Sequence, residues 1–411
     1  MKENNTRPWP VFTVTEKAAK TLAAGHPWVY DTEVTGTQPV ENGGIVDVIS
    51  PKGRYLGNAF YSQHSKIRLR VFSRNTNDVY DEAFFERRLQ WAWNYRKAVM
   101  PPEDLRACRV IFGEADGFPG LTVDRMNNLL VAETLSVGAE RLKPLLLRLL
   151  VDILNQSGAA IAGVYERNDA PIRELEGLPQ YKGWLALPNL PAEFPSALTE
   201  IQENGVRYYV DVENGQKTGF FLDQKYNRRA IRQIAAGRRV LDCFTHTGSF
   251  ALNAAAAGAR QVVAVDASET ALQTARQNAV LNGLAAGMDF VKADVFELLP
   301  RLIAEKREVD LVILDPPAFT KSRKTKSNAL RGYKEINTRA MQLLRRGGFL
   351  ATCSCSHFAA EADFRQMLAE AAAEAGVSLL QVQARQQAPD HPILWGVPET
   401  YYLKFFIFQI V

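Results

Sequence analysis

The sequence predicts an α/β protein: an open, doubly wound parallel sheet in its second half, preceded by a β-rich segment and a mixed strand–helix segment. Three observations carry this. From Ile201 onward, apolar strand-like runs alternate with helix-like runs of about 10–15 residues, the pattern of a parallel sheet. Four successive strands of that repeat end in an acid, at Asp242, Asp266, Asp294 and Asp315. The first segment, Phe12 to Arg74, is instead made of short β-prone runs broken by Gly43-Gly44, Pro51 to Gly53 and Gly57.

In chain order, Gly44–Ile49 and Ile67–Phe72 have strand composition, and the pattern changes near Asp78. Ala83–Val99, with Phe84, Leu89, Trp91 and Trp93 among Arg and Glu, predicts a helix that Pro101-Pro102 ends. Leu121–Asp124 and Leu129–Leu135 flank Met126-Asn127-Asn128 as a hairpin. A leucine-rich helix over Glu140–Leu154 and a strand over Ile161–Glu166 follow, then a proline-punctuated linker over Ala186–Pro195. The repeat then reads strand Arg239–Cys243, helix Ser249–Ala257, strand Gln261–Asp266, helix Thr270–Asn282, strand Met288–Asp294, helix Val295–Glu305, strand Val309–Asp315, helix Tyr333–Leu344 and strand Phe349–Ser354. These breaks divide the chain into 1–78, 79–190 and 191–411.

Composition narrows the function classes. A hydrophobic share of 46% with 23% charged residues describes a globular chain, and no apolar run reaches the ~18 residues of a membrane span. Met1 to Val11 lacks the apolar stretch of a signal peptide, and four scattered cysteines (Cys108, Cys243, Cys353, Cys355) make no disulfide framework or metal site. A cytoplasmic protein without membrane partners is expected. The net charge of +4 is mild, but from Ala318 to Arg346 nine Lys or Arg, including Lys321, Arg323 and Lys334, face one acid, Glu335. Phosphate contact and a solvated helix face both account for that excess.

Ligands of open α/β sheets bind at the carboxyl ends of the strands. After the first of these strands, Thr245-His246-Thr247-Gly248-Ser249 supplies one glycine for a tight turn, not the denser G-x-G-x-x-G that a pyrophosphate requires. A phosphate-free nucleoside cofactor suits this pattern, and S-adenosylmethionine is one. Asp266 then sits where an acid accepts ribose hydroxyls, and Asp294 where one accepts from the adenine amine. A ring of carboxylates also suits the sulfonium charge. Any one of these acids, Asp294 above all, can equally be a helix N-cap.

The next two strands carry the chemistry. Asp315-Pro316-Pro317 and Thr352-Cys353-Ser354-Cys355-Ser356 bring a carboxylate and thiols to adjacent strand ends. Methylating carbon 5 of a pyrimidine needs a nucleophile at carbon 6 and an acid near nitrogen 3. Amino-group methylation needs no thiol and typically has Asn-Pro-Pro-aromatic here instead of Asp-Pro-Pro. Cys353 and Cys355 share strand parity. Cys355 lies nearer the ligand end, while Cys353 reads as a buried small hydrophobe and Cys243 as at most a lining residue.

With these residues assembled, the chain resembles, nearly end to end, the bacterial 23S rRNA (cytosine-5-)-methyltransferases of the large-subunit methyltransferase I family. The matching stretches are Gly25–Trp28, Gly113–Leu121, Val123–Arg125, Glu166–Asp169, Gly215–Gln224, Asp315–Pro317, Gly332–Lys334, Ser354–Ser356 and Asp390–Pro392. The resemblance implies an N-terminal PUA β-barrel that binds RNA, a central α+β domain and a Rossmann-like class I methyltransferase domain. It implies S-adenosylmethionine held by Phe221, Gln224, Asp242, Phe244, Gly248, Asp266, Asp294 and Asp315, with Cys355 as nucleophile and Asp315 as active-site acid. It implies 23S rRNA, naked or in an assembly intermediate, as substrate, and it suggests a homodimer. For a cytosine flipped out of structured RNA, Phe319 is the stacking candidate; Lys217, Pro316, Lys321, Arg323 and Tyr333 are the other substrate candidates. Two departures from the family pattern are Cys353, where many members have no thiol, and His357 in place of Gly. Methylation of guanine nitrogen 7 on the same fold, a non-catalytic RNA-binding assembly factor and a small-molecule methyltransferase stay open as alternatives.

Overall fold

A computed structural model describes residues 7–319 and 326–411, so Lys321 and Arg323 lie outside the described residues. The chain forms two compact units, each assembled from several stretches of sequence.

The first unit contains residues 1–201, 210–222 and 389–400. Its elements are β1 (Val11–Val14), α1 (Glu16–Ala23), β2 (Trp28–Tyr30), β3 (Val34–Gly36), β4 (Ile45–Ile49), β5 (Tyr55–Tyr61), β6 (Ile67–Ser73), α2 (Glu82–Val99), β7 (Ala107–Phe112), β8 (Leu121–Met126), β9 (Leu129–Thr134), α3 (Val137–Gln156), β10 (Gly163–Asn168) and β11 (Tyr181–Leu185). Two sheets result, one of order β2-β6-β5-β4-β1-β3 and one of order β11-β10-β9-β8-β7. The hairpin expected at Met126–Asn128 is there, tightened by Asn127 at φ +59°. The first segment is richer in structure than its two expected strands: β1, β2, β3 and β5 are short or broken by bulges, which blurs the alternation a strand needs to be read.

The helices begin where the sequence can cap them. Asp81 accepts from the Phe84 N–H at the start of α2, and Ser136 from Ala139 at the start of α3. On the buried side of α2, the fully enclosed Arg96 guanidinium forks onto Asp116 at 2.5 and 2.7 Å and also donates to the carbonyls of Arg109 and Asp390. The Asp390 carboxylate accepts from Arg109 N, so the 389–400 stretch is hydrogen-bonded into this unit.

β12 (Leu198–Glu203) and β13 (Val206–Asp211) form a two-stranded ribbon through which the chain passes between the units. The second unit then runs α4 (Lys225–Ala235), β14 (Arg239–Cys243), α5 (Ser249–Ala256), β15 (Gln261–Asp266), α6 (Glu269–Leu281), β16 (Met288–Lys292), α7 (Val295–Ala304), β17 (Leu311–Leu314), α8 (Lys326–Leu343), β18 (Phe349–Ser354), α9 (Glu361–Ala375), β19 (Leu379–Arg385) and β20 (Lys404–Ile410). Its seven-stranded sheet has the order β16-β15-β14-β17-β18-β20-β19. The first five strands are parallel, and β20 runs antiparallel between β18 and β19. This is the doubly wound sheet that the alternation predicts. Helices α7, α8 and α9 share one apolar core with its strands. Helix α4 is anchored by Arg228, whose guanidinium forks onto Glu203 at 2.6 and 2.7 Å with both side chains fully enclosed.

Several expected boundaries shift, and two of the shifts lie beside the candidate site. The third strand stops at Lys292 rather than Asp294, because the Asp294 carboxylate accepts from Phe296 N at 2.8 Å and opens α7. Helix α8 begins at Lys326, seven residues ahead of the expected Tyr333.

Gly138, in the first turn of α3, is a tight contact of the first unit: an added Cβ would lie 2.6 Å from the Phe60 Cβ and against its ring. Alanine ordinarily improves a helix by up to about 1 kcal/mol over glycine. Here overpacking opposes it, and Gly138→Ala is expected to destabilise the protein by about 1–3 kcal/mol in chemical denaturation. A gain in stability would show that Phe60 yields freely.

Candidate cofactor and catalytic site

The parallel register aligns the strand ends: Asp242 pairs across to Ala264 and Ile313, and Leu314 to Thr352. The residues leaving these strands therefore emerge at one edge of the sheet.

Asp242 is fully enclosed. Its Oδ2 accepts from Thr245 Oγ1 at 2.5 Å and from Ala251 N at 2.9 Å, tying β14 to the first turns of α5, while Oδ1 is buried without a hydrogen-bond partner. Burial, with smaller contributions from the charges of Asp315 and Asp266, pushes this carboxyl up to about 7. The turn held this way is unusual, with Phe244 at φ +64°, His246 at φ +51° and Gly248 at φ +83°. Left-handed backbone at non-glycine residues is strained, and such residues gather at ligand clamps. At Gly248 the strain is compounded by space, since a Cβ there would meet the Ala275 Cβ at 3.0 Å. Asp266 steadies the same turn from β15: one oxygen accepts from His246 N and the other from Ser268 N, both at 2.9 Å. Burial holds the His246 imidazole below its usual range. Sequence reasoning assigned this histidine no role, and its position between Asp242 and Gly248 was the available signal. Asp294 is exposed and caps α7.

At the end of β17, Asp315 Oδ1 accepts from Cys353 Sγ at 2.8 Å and from Gln224 Nε2 at 3.1 Å; Asn227 orients Gln224 by donating to its Oε1 at 2.7 Å. Burial raises the Asp315 carboxyl to about 6, against the lowering effect of the Cys353 hydrogen bond. Cys353 is enclosed, and burial followed by the Asp315 charge pushes its thiol well up, so it is a neutral donor. The expected apolar packing role thus describes its burial but not its contact with Asp315.

Cys355 differs. β18 ends at Ser354, so strand parity does not extend to Cys355, which is partly exposed. Lys404, at the start of β20 opposite Ser354, donates through Nζ to the carbonyls of Ser356 at 2.7 Å and Tyr402 at 2.9 Å. Burial lowers this ammonium to about 8, opposed first by the charge of Cys355. Lys404 was not anticipated; its signal was a lone cation opening the apolar run Lys404-Phe405-Phe406-Ile407-Phe408.

Phe244 and Phe319 belong to an aromatic cluster, with ring centroids 6.4 Å apart and Phe319 4.6 Å from the Tyr333 ring. Tyr333 is enclosed, its hydroxyl 3.1 Å from Ser356 Oγ, and Pro316 is buried. Lys326, Lys334 and Arg345 from the basic stretch meet Asp363, Glu374 and Glu308. Lys217 and Phe221 belong to the first unit, where the Lys217 ammonium lies 5.2 Å from the Phe221 ring.

Comparison with known proteins agrees with this geometry. A family profile described as S-adenosylmethionine-dependent methyltransferase matches residues 178–408, and one described as PUA-like domain matches residues 12–74. The chain is 40% identical over 394 residues to the ribosomal RNA large subunit methyltransferase I of Yersinia pseudotuberculosis, covering 95% of this chain and 97% of that protein; the Yersinia pestis protein of the same name is equally similar. Among solved structures, a SAM-dependent methyltransferase assigned in Streptococcus mutans superposes with a TM-score of 0.78 at 21% identity, covering 97% of this chain and 99% of that one. A methyltransferase structure with bound SAH, SMU.776, gives 0.79 at the same identity and coverage. The structural likenesses establish the fold, and the sequence likenesses establish the family: the chain belongs to the S-adenosylmethionine-dependent methyltransferases, within the ribosomal RNA large subunit methyltransferase I group.

Proposed function

We propose that this protein methylates carbon 5 of a cytosine in large-subunit ribosomal RNA, with Cys355 as nucleophile and Asp315 as acid. The observation that carries the reading is the pairing of a raised carboxyl at the end of β17 with two thiols of opposite character at the end of β18. Cys353 is a buried, neutral donor committed to Asp315. Cys355 is the accessible thiol, partly open to solvent at the end of the strand. The thiolate adds to carbon 6 of the cytosine, electron density moves through carbon 5 to nitrogen 3, and protonated Asp315 donates to that nitrogen. S-Adenosylmethionine supplies an electrophilic methyl group, which carbon 5 takes up. A base then removes the carbon 5 proton, and elimination of the thiolate, with return of the nitrogen 3 proton to Asp315, restores the aromatic ring and frees Cys355.

The residues fit this cofactor. The left-handed turn from Phe244 to Gly248 presents backbone with no room for a side chain at its glycine. Asp266 has carboxylate oxygens at the strand end for a ribose, and Asp242 adds a buried carboxylate oxygen without a hydrogen-bond partner. In this reading Gln224, Phe244, Gly248, Asp266 and Asp294 line the cofactor, and Asp242 acts by fixing the turn and through its charge.

Unmethylated 23S rRNA incubated with labelled S-adenosylmethionine should yield 5-methylcytidine. Cys355→Ala should abolish that product while cofactor affinity is kept, and Asp315→Asn should slow it by about 10²–10⁴-fold. Cys353→Ala should retain turnover; because its hydrogen bond lowers the Asp315 carboxyl, its loss should move the descending limb of the pH profile upward. Any other methylated nucleoside, or full activity without Cys355, would sink the cytosine-5 mechanism.

The raised carboxyls give a second expectation. Asp242 and Asp315 have folded-state values above the unfolded ones, so their contribution to stability is greatest below about pH 4 and is lost as pH rises through 6–7. Their ionisation over the same window should favour the cationic S-adenosylmethionine over the uncharged thioether product. The ratio of the two affinities should therefore rise from pH 5.5 to 8, by roughly tenfold for each carboxyl that binding lowers by one unit. Asp242→Asn should flatten both dependences in calorimetry, and a pH-independent ratio would remove the carboxylates from cofactor recognition.

A further inference from the structure

In the first unit, between the end of β6 and the start of α2, lies a cavity of about 430 Å³ that the catalytic reading does not use. Three guanidiniums line it, those of Arg74, Arg87 and Arg88, together with the rings of Phe84 and Trp91. Its one acid, Asp78, is already engaged: Oδ2 accepts from Ser73 Oγ at 2.5 Å and Oδ1 from Asn75 Nδ2 at 3.0 Å. Among the described residues, none of the three arginines meets a carboxylate at ion-pair distance. Arg74 donates to the Gly25 carbonyl at 3.1 Å, and Arg88 to the carbonyls of Phe72 and Gly117, with its guanidinium 4.6 Å over the Phe84 ring. Burial lowers both of these cations, opposed at Arg88 by the charge of Asp78 and at Arg74 by no acid among the described residues. Arg87 is exposed and hovers 6.0 Å from the Trp91 ring, one helical turn along α2. Trp91 is 60% exposed, and Tyr95, a further turn on, is 38% exposed.

We propose that this cavity binds a single-stranded nucleotide of the RNA substrate, with its base stacked on Trp91 and its phosphate held between Arg74 and Arg87. An aromatic face beside cations with no carboxylate at ion-pair distance is the arrangement that binds unpaired nucleic acid. Arg88, pinned by two carbonyls, supplies fixed charge rather than a moving hand. The inference rests on RNA being the substrate, but not on which atom is methylated.

The test is the affinity of the full-length protein for a fluorescein-labelled octauridine, measured by anisotropy against salt, for wild type, Trp91→Ala, Trp91→Phe and Arg87→Ala. Trp91→Ala should weaken binding on the order of 10- to 100-fold, and Trp91→Phe should restore most of it. Arg87→Ala should weaken binding and reduce the log–log salt slope by about 0.7 for the lost phosphate contact. All variants should keep wild-type melting temperature and S-adenosylmethionine affinity. On rRNA, the alanine variants should raise KM with kcat unchanged. Unchanged octauridine affinity in both alanine variants overturns the proposal, as does displacement of the oligonucleotide by a polyglutamate peptide with equal effect, which would mark a general anion site. Binding that depends on Trp91 in an enzyme that forms no 5-methylcytidine would leave this site standing and remove the cytosine-5 reading alone.

Discussion

The second unit depends on one buried carboxylate. Asp242 lies one residue before the end of β14, between β15 and β17, and it is the point at which β14 is bonded to α5. With Asp266, which accepts from His246 N, that tie holds the turn in which Phe244 and His246 take left-handed backbone. Burial of the acid is unfavourable for its charge and raises its pKa. The fold tolerates this because the neutral form can still accept from Ala251 N. The energetic burden falls where a cationic ligand would relieve it.

The strand ends show how a single sheet separates two chemically equal thiols. Cys353 is inside β18 and faces Asp315; Cys355 is past the last ladder residue and partly exposed. Two residues along the chain, the environment changes from one that encloses a thiol and suppresses its thiolate to one open to solvent, and a strand terminus is sufficient for that change in access.

The parallel sheet was legible in the sequence because buried parallel strands read as unbroken apolar runs, and Asp242, Asp266 and Asp315 mark their ends. Asp294 was legible as an acid but not as to its job, since a strand end and an N-cap look alike within two residues. The PUA-like segment was legible as β-rich, yet most of its strands were not, because their bulges break the period of two. Helices α4 and α9 and strands β19 and β20 went unread, β20 because it is apolar on both faces and follows a long irregular stretch. The Cys353–Asp315–Gln224 contact could not be read at all: it joins residues 129 positions apart at its widest, which no local pattern encodes. Nor could the pocket at Trp91, since Arg74 belongs to a loop and Arg87 to a helix, and only the fold brings them together.

The insertion of β20 between β18 and β19 bears on how the protein comes into being. β19 is made before β20 but has no strand to lie on until β20 arrives, because its only neighbour in the sheet is β20. A chain still emerging from the ribosome, translated only as far as residue 403, would have its five parallel strands, its glycine turn and both thiols, yet β18 would keep an open edge and Cys355 would lack Lys404. The pairing of β18 with β20 also spans about fifty residues, a slow, non-local closure. The antiparallel half of the sheet therefore closes last, once residues 404–410 are made and β20 can enter between β18 and β19.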